Sequence, residues 1–85
     1  MKEFLHFTAS WCAPCKAMAP KIDEMIAGNP DINYIKIDLE TSEGIELAKQ
    51  YNVSSIPTFI AKINNEQSGR HLGLATVDQL EELFK

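Results

Sequence analysis

The succession of apolar and amphipathic segments along these 85 residues predicts an α/β fold of order βαβαββα, a four-stranded mixed sheet with helices on both faces. Three observations carry that expectation. An apolar run at residues 3–8 passes without a linker into helical spacing. A second run at 32–38 is again followed by a helical pattern. The chain then closes with two strand-like runs joined by Asn64-Asn65 and a capped amphipathic helix.

Each element has a local cause. Phe4, Leu5 and Phe7, interleaved with His6 and Thr8, suit an interior strand covered on both faces. Met18, Ile22, Met25 and Ile26 recur at helical spacing from Cys15 onward, and Gly28-Asn29-Pro30 stops the helix. Pro20 lies inside that pattern and is expected to kink it, because proline removes a backbone donor and crowds the preceding turn. Ile35 and Ile37 mark the second strand. Residues 42–51 form the next helix, with Ile45, Leu47, Ala48 and Tyr51 as its apolar side and Glu43 and Glu46 complementing its dipole. Residues 53–57 connect to a third strand at 58–63. A tight turn at Asn64-Asn65, where asparagine tolerates positive φ, returns the chain as an antiparallel strand at 67–72. Thr76 to Gln79 has the form of a capping box, and Val77, Leu80, Leu83 and Phe84 form the buried stripe of the last helix. The first two strands, joined through a helix, are expected to be parallel.

Composition narrows the function. The chain is 45% apolar and 24% charged, which suits one domain spanning 1–85, with no linker, repeat or low-complexity segment. A net charge of −4 argues against a nucleic-acid partner, which calls for a basic face. The opening residues carry an early acid and histidine among few apolar residues, so neither a signal peptide nor a membrane span is expected. The expected compartment is the cytoplasm, where disulfides are transient and catalytic.

The only two cysteines stand in Trp11-Cys12-Ala13-Pro14-Cys15-Lys16, between the first strand and the first helix. Two thiols separated by two residues at a strand-to-helix junction form a dithiol redox site, able to open and close a disulfide as a working cycle. Cys12 at the helix start has unpaired backbone N–H groups and the helix dipole to favour its thiolate, so it is the expected nucleophile. Pro14 falls in the first turn, where its missing N–H costs little, and stiffens the segment. The alternatives are a plain structural disulfide or half of a zinc site, but zinc needs about four ligands, and His6 and His71 lack a finger-like spacing.

Ala9 to Lys16, followed by Ala19-Pro20, resembles the active-site segment and kinked helix of the thioredoxin family. Ile37-Asp38, Tyr51-Asn52-Val53, Ser55 to Thr58 and Leu72-Gly73 resemble later family segments in the same order and spacing, so the resemblance runs from Phe4 to Phe84. It lacks the additional N-terminal strand and helix of longer thioredoxins and looks like a compact version. The resemblance implies that Cys15 resolves the mixed disulfide formed at Cys12. It implies that Trp11 lines the substrate surface and that Ile56-Pro57 forms a cis-proline loop facing the cysteines. Gly73 and Leu74 would complete a shallow apolar patch around Cys12 with Trp11, Ile56 and Pro57. The alternatives are a partly exposed core aromatic for Trp11, a trans proline opening a strand for Pro57 and a plain turn glycine for Gly73.

The sequence departs from the family pattern at several positions. Ala13 stands where most thioredoxins have glycine, which reduces the freedom of the segment between the cysteines. His6 and Tyr34 stand where thioredoxins place a buried aspartate and a lysine. His6 is therefore a candidate base for the proton of Cys15, or else a core histidine hydrogen-bonded to a neighbour. His71 has the look of solvated surface.

The function these residues imply is reduction of protein disulfides by dithiol exchange, without a bound cofactor or metal, in a monomer recharged by a thioredoxin reductase. The runner-up is a glutathione-dependent glutaredoxin, disfavoured by Trp-Cys-Ala-Pro-Cys and by the lack of a basic glutathione-binding pair. An interaction module that does not use its thiols is the alternative from another class.

Overall fold

The computed structural model describes residues 1–85. The strands are β1 (Lys2–Thr8), β2 (Ile32–Asp38), β3 (Thr58–Ile63) and β4 (Glu66–Leu72), and the helices are α1 (Ala13–Ala17), α2 (Ala19–Gly28), α3 (Ser42–Gln50) and α4 (Val77–Glu82). They form one mixed sheet of order β2-β1-β3-β4. β1 runs parallel to β2 and antiparallel to β3, and β3 is antiparallel to β4. The expected topology is therefore present, with its first helix in two pieces.

The break follows from Pro20. A proline has no N–H to offer the carbonyl four residues back, and its ring crowds that carbonyl. The chain responds two residues earlier: the N–H of Met18 is shared between the carbonyls of Pro14 and Cys15, both at 3.2 Å, and α2 restarts with Pro20 in its first turn.

Strand alternation then sorts β1 onto two cores. Phe4 packs with Met18, Ile22, Met25, Phe59 and Leu80 beneath α2 and α4. Leu5 and Phe7 face the other way and pack with Ile37, Ala48 and Ile60 beneath α3. His6, in register with Phe4, belongs to the α1–α2 side, and its ring stacks on Phe59 with centroids 4.8 Å apart.

α3 differs from its sequence pattern in one respect. Ile45 is 45% exposed, whereas Gly44 is buried with Ala48. The stripe that faces the sheet is 44, 47, 48 and 51, and Ile45 stands about 100° round the helix from Gly44. Thr41 caps this helix, its Oγ1 accepting from the N–H of Gly44 at 3.0 Å. The capping box at Thr76 and Gln79 forms as expected, with reciprocal bonds of 3.1 and 2.9 Å. Asn64 and Asn65 both take positive φ, at 51° and 70°, which makes the tight β3–β4 turn.

Candidate active site

The site lies at the C-terminal end of β1, where the chain leaves the sheet and enters α1. Cys12 is the N-cap residue of α1, with extended backbone angles, and its Sγ accepts the N–H of Cys15 at 3.2 Å. Cys12 and Cys15 are joined as a disulfide, their Cα atoms 5.2 Å apart. Both are buried, at 5% and 4% exposure. Pro14 sits in the first turn of α1, where no intrahelical bond is lost. Trp11, immediately before the pair, is 72% exposed, so it is not a core aromatic.

The Ile56–Pro57 peptide bond is cis, with Pro57 buried. Gly73 lies beside it: its N–H donates to the Pro57 carbonyl at 2.8 Å, and its φ of +93° is one that L side chains avoid. Leu72 and Leu74 flank this glycine, 60% and 59% exposed. His71 is half-buried rather than solvated, and its Nε2–H donates to the Leu74 carbonyl at 2.8 Å. That bond ties down the segment carrying Gly73 and Leu74. The spacing His71-x-x-Leu74 across a glycine was its only sequence signal.

Below the disulfide, His6 is 3% exposed. Its Nδ1 is 2.9 Å from the Tyr34 hydroxyl on β2, and its Nε2 is buried without a hydrogen-bond partner. Burial, with a smaller contribution from the Lys36 cation, lowers its pKa to about 4, so the imidazole is neutral at neutral pH. The phenol of Tyr34 is pushed up, first by burial and then by the Asp23 carboxylate, and keeps its proton. His6 and Cys15 line one cavity of about 490 Å³ between α1, α2 and the β1–β2 edge, with Lys16, Asp23, Tyr34 and Lys36 also in its wall. No three His, Cys, Asp or Glu side chains converge where they would hold a metal ion.

The chain that carries this buried cysteine pair, closed across the first turn of a helix, has relatives among known proteins. The Thioredoxin family model matches residues 2–85. The chain belongs to the thioredoxin family. Thioredoxin H2-1 of Oryza sativa subsp. japonica is 38% identical over 78 residues, 92% of this chain and 54% of that relative. The thioredoxin of Chlamydia trachomatis is 37% identical over 80 residues, covering 94% of this chain and 76% of its own length. This chain thus spans only about half of the rice thioredoxin. Among solved structures, oxidised mitochondrial thioredoxin 3 of Saccharomyces cerevisiae superposes with a TM-score of 0.86 at 29% identity, covering 98% of this chain and 76% of that one. Oxidised thioredoxin O2 of Arabidopsis thaliana gives 0.88 at 27%, covering 100% and 76%. The fold is the thioredoxin α/β fold, and it carries Cys12 and Cys15 closed as a disulfide.

Proposed function

We propose that the chain reduces disulfide bonds of other proteins, with Cys12 as nucleophile and Cys15 as resolving thiol. The observation that carries this is the position of Cys12 as N-cap of α1, its sulfur receiving a backbone N–H, with Cys15 one turn on in bonding reach. An N–H aimed at sulfur favours the thiolate, the species that attacks. The Cys12 thiolate attacks one sulfur of a substrate disulfide and expels the other as a thiolate. Cys15 then attacks Sγ of Cys12, releasing the second substrate sulfur and closing the Cys12–Cys15 disulfide. A reductase of the thioredoxin type returns two electrons for the next cycle.

Trp11, Ala13, Pro14, Ile56, Gly73 and Leu74 form the surface on which an extended substrate segment lies, with the buried Pro57 holding the turn behind it. The exposure of Trp11 and Leu74 and the open space beside Gly73 support this assignment. His6 receives the proton of Cys15 during resolution, consistent with a neutral imidazole whose Nε2 has no partner. The protein acts as a monomer in the cytoplasm, and no helix is long and apolar enough to cross a membrane. A glutathione-dependent activity is not favoured, since the matched family model and the relatives above are thioredoxins.

Trapping tests the assignment. Cys15→Ser is expected to accumulate a mixed disulfide with a protein substrate, and Cys12→Ser is expected to accumulate none. Equal trapping by both variants refutes the two roles. Insulin reduction supported by a thioredoxin reductase, and not by glutathione alone, is the expected outcome for the electron source.

A further inference from the structure

We infer that Arg70, on the edge strand β4, is the positioning residue of the segment that ends at Ile56-Pro57, fixing where Ile56 stands relative to Gly73 for a substrate chain that lies across them. The inference rests on the reading of these residues as part of the substrate surface and names what holds that surface in shape.

The sheet register sets the direction in which Arg70 reaches. Arg70 pairs with Ile60 and His71 with Phe59 across β3 and β4, and residues directly opposite each other share a face of the sheet. Ile60 belongs to the core beneath α3 and Phe59 to the core beneath α2 and α4, so Arg70 and His71 point to opposite faces. Arg70 crosses to the end of α3, where Nη2 donates to the Tyr51 carbonyl and Nη1 makes a longer bond of 3.4 Å to the Asn52 carbonyl. Carbonyls at a helix C-terminus have no intrahelical donor and carry the negative end of the dipole, and a guanidinium meets two of them with one rigid fork. On the other face His71 holds the Leu74 carbonyl. One edge strand thus ties down the chain on both sides of the bond between Gly73 and Pro57.

The segment between α3 and β3 has few other restraints. Asn52 leaves the helix with a positive φ of 56°, which asparagine tolerates, and the Val53 N–H donates back to the Ala48 carbonyl at 2.7 Å. Further on, Thr58 Oγ1 donates to the Ser55 carbonyl at 2.6 Å. Between these points the backbone N–H groups of Ser54, Ser55 and Ile56 are bonded to nothing within the chain, and both serines are exposed. The placement of Ile56 therefore depends on the two ends of the segment. The far end is fixed by the pairing of Thr58 with Leu72. At the near end no backbone N–H reaches the carbonyls of Tyr51 and Asn52, so Arg70 is their partner. Lys62 Nζ donates to the Tyr51 hydroxyl at 2.8 Å, which holds the ring and leaves those carbonyls to Arg70.

Two substrates and one structural readout test this. Insulin presents a peptide to the surface and is reduced with dithiothreitol recharging the chain, whereas a dithiobis-nitrobenzoate disulfide, mixed with the pre-reduced chain, presents none. For Arg70→Gln the expected result is a KM for insulin raised about fivefold, the scale of one lost hydrogen bond to a charged group, with kcat and the rate on the small disulfide at wild-type values. Arg70→Lys keeps the charge at the end of α3 without the fork, and its KM is expected to fall between the two. Amide exchange at residues 53–56 is expected to be faster in Arg70→Gln and unchanged at Gly73. Ile56→Ala is the reference for the surface itself. A wild-type KM in Arg70→Gln beside a raised one in Ile56→Ala overturns the positioning role and leaves the substrate surface as read. A wild-type KM in both overturns the surface and the inference with it. A raised KM with unchanged exchange at 53–56 puts Arg70 in direct contact with the substrate, and equal slowing on both substrates carries its effect to the cysteines. Either result overturns the role given to it.

Discussion

Glu40 accepts two hydrogen bonds from Ser10 on a single carboxylate oxygen, Oε1, from the backbone N–H at 3.1 Å and from Oγ at 2.5 Å. Ser10 is two residues before Cys12, and Glu40 lies in the loop between β2 and α3. That loop is itself fixed: the Glu40 N–H donates to Asp38 Oδ1 at 2.8 Å, and the Leu39 N–H donates to the Thr8 carbonyl at 2.9 Å. The start of the cysteine segment is thus pinned to a neighbouring loop.

Glu40→Ala is expected to cost about 1 kcal/mol or less, because both partners are exposed and water replaces most of what is lost. Its effect on catalysis is expected to exceed its effect on folding, as the freed Ser10-Trp11 turn no longer presents Cys12 in one geometry. Thermal unfolding and insulin-reduction rates, measured on the same preparation, check this. A large loss of stability with unchanged turnover contradicts the positioning role.

Gly44→Ala sets two effects against each other. Alanine is favoured over glycine in a helix by about 1 kcal/mol. A Cβ at this position, however, would overlap the carbonyl of Asp38, a backbone group that already accepts bonds from the N–H and Oγ1 of Thr41 and cannot readily move. Crowding of this kind costs about 1–3 kcal/mol, so the clash outweighs the propensity and the variant is expected to be destabilised. Gly28→Ala, with nothing within 4 Å of the added carbon, is the control and is expected to be neutral or mildly stabilised. Urea midpoints of the two variants decide the matter.

The same glycine shows where sequence patterning reached its limit. Apolar spacing placed the α3 stripe through Ile45, since glycine carries no hydrophobic signal, although the helix faces the sheet with Gly44 so that the loop after β2 can pass close. The parallel pairing of β1 and β2 was legible because a helical crossover dictates it, and the order of elements, the Asn64-Asn65 turn and the last capping box because each depends on local signals or fixed periodicity. The cysteine pair was legible for the same reason. Ser10–Glu40, His71–Leu74 and the wall of the His6 cavity were not, because they depend on which side chains the sheet register and loops bring together across the chain. His6 lay between: the family resemblance marked its position, but only the fold reveals that Nε2 lacks a partner.

Trp11 is the only tryptophan, is 72% exposed and directly precedes Cys12. Its emission is expected to be that of a solvent-exposed indole, accessible to iodide, and to rise when the neighbouring disulfide is reduced. Identical emission and iodide quenching in the oxidised and reduced chains would mean that the ring does not sense the cysteine pair.

His6 also makes a prediction about stability against pH. In the unfolded chain its imidazole ionises near its ordinary value of 6.5, and in the folded chain burial and Lys36 lower this to about 4. Between these values the unfolded chain binds a proton that the folded chain does not, so protonation favours unfolding. The contribution of His6 is therefore full above about pH 6.5, falls as pH drops and is lost as pH passes through about 4. The separation corresponds to about 3 kcal/mol across that window. His6→Asn has no proton to gain there, so the difference in unfolding free energy between wild type and variant is expected to shrink by about that amount from pH 7 to pH 4. Denaturant titrations of the oxidised proteins at intervals of pH measure it. A difference constant across the window would mean that the folded imidazole ionises as it does in the unfolded chain, and the neutral acceptor required during resolution would then be absent in mildly acidic solution.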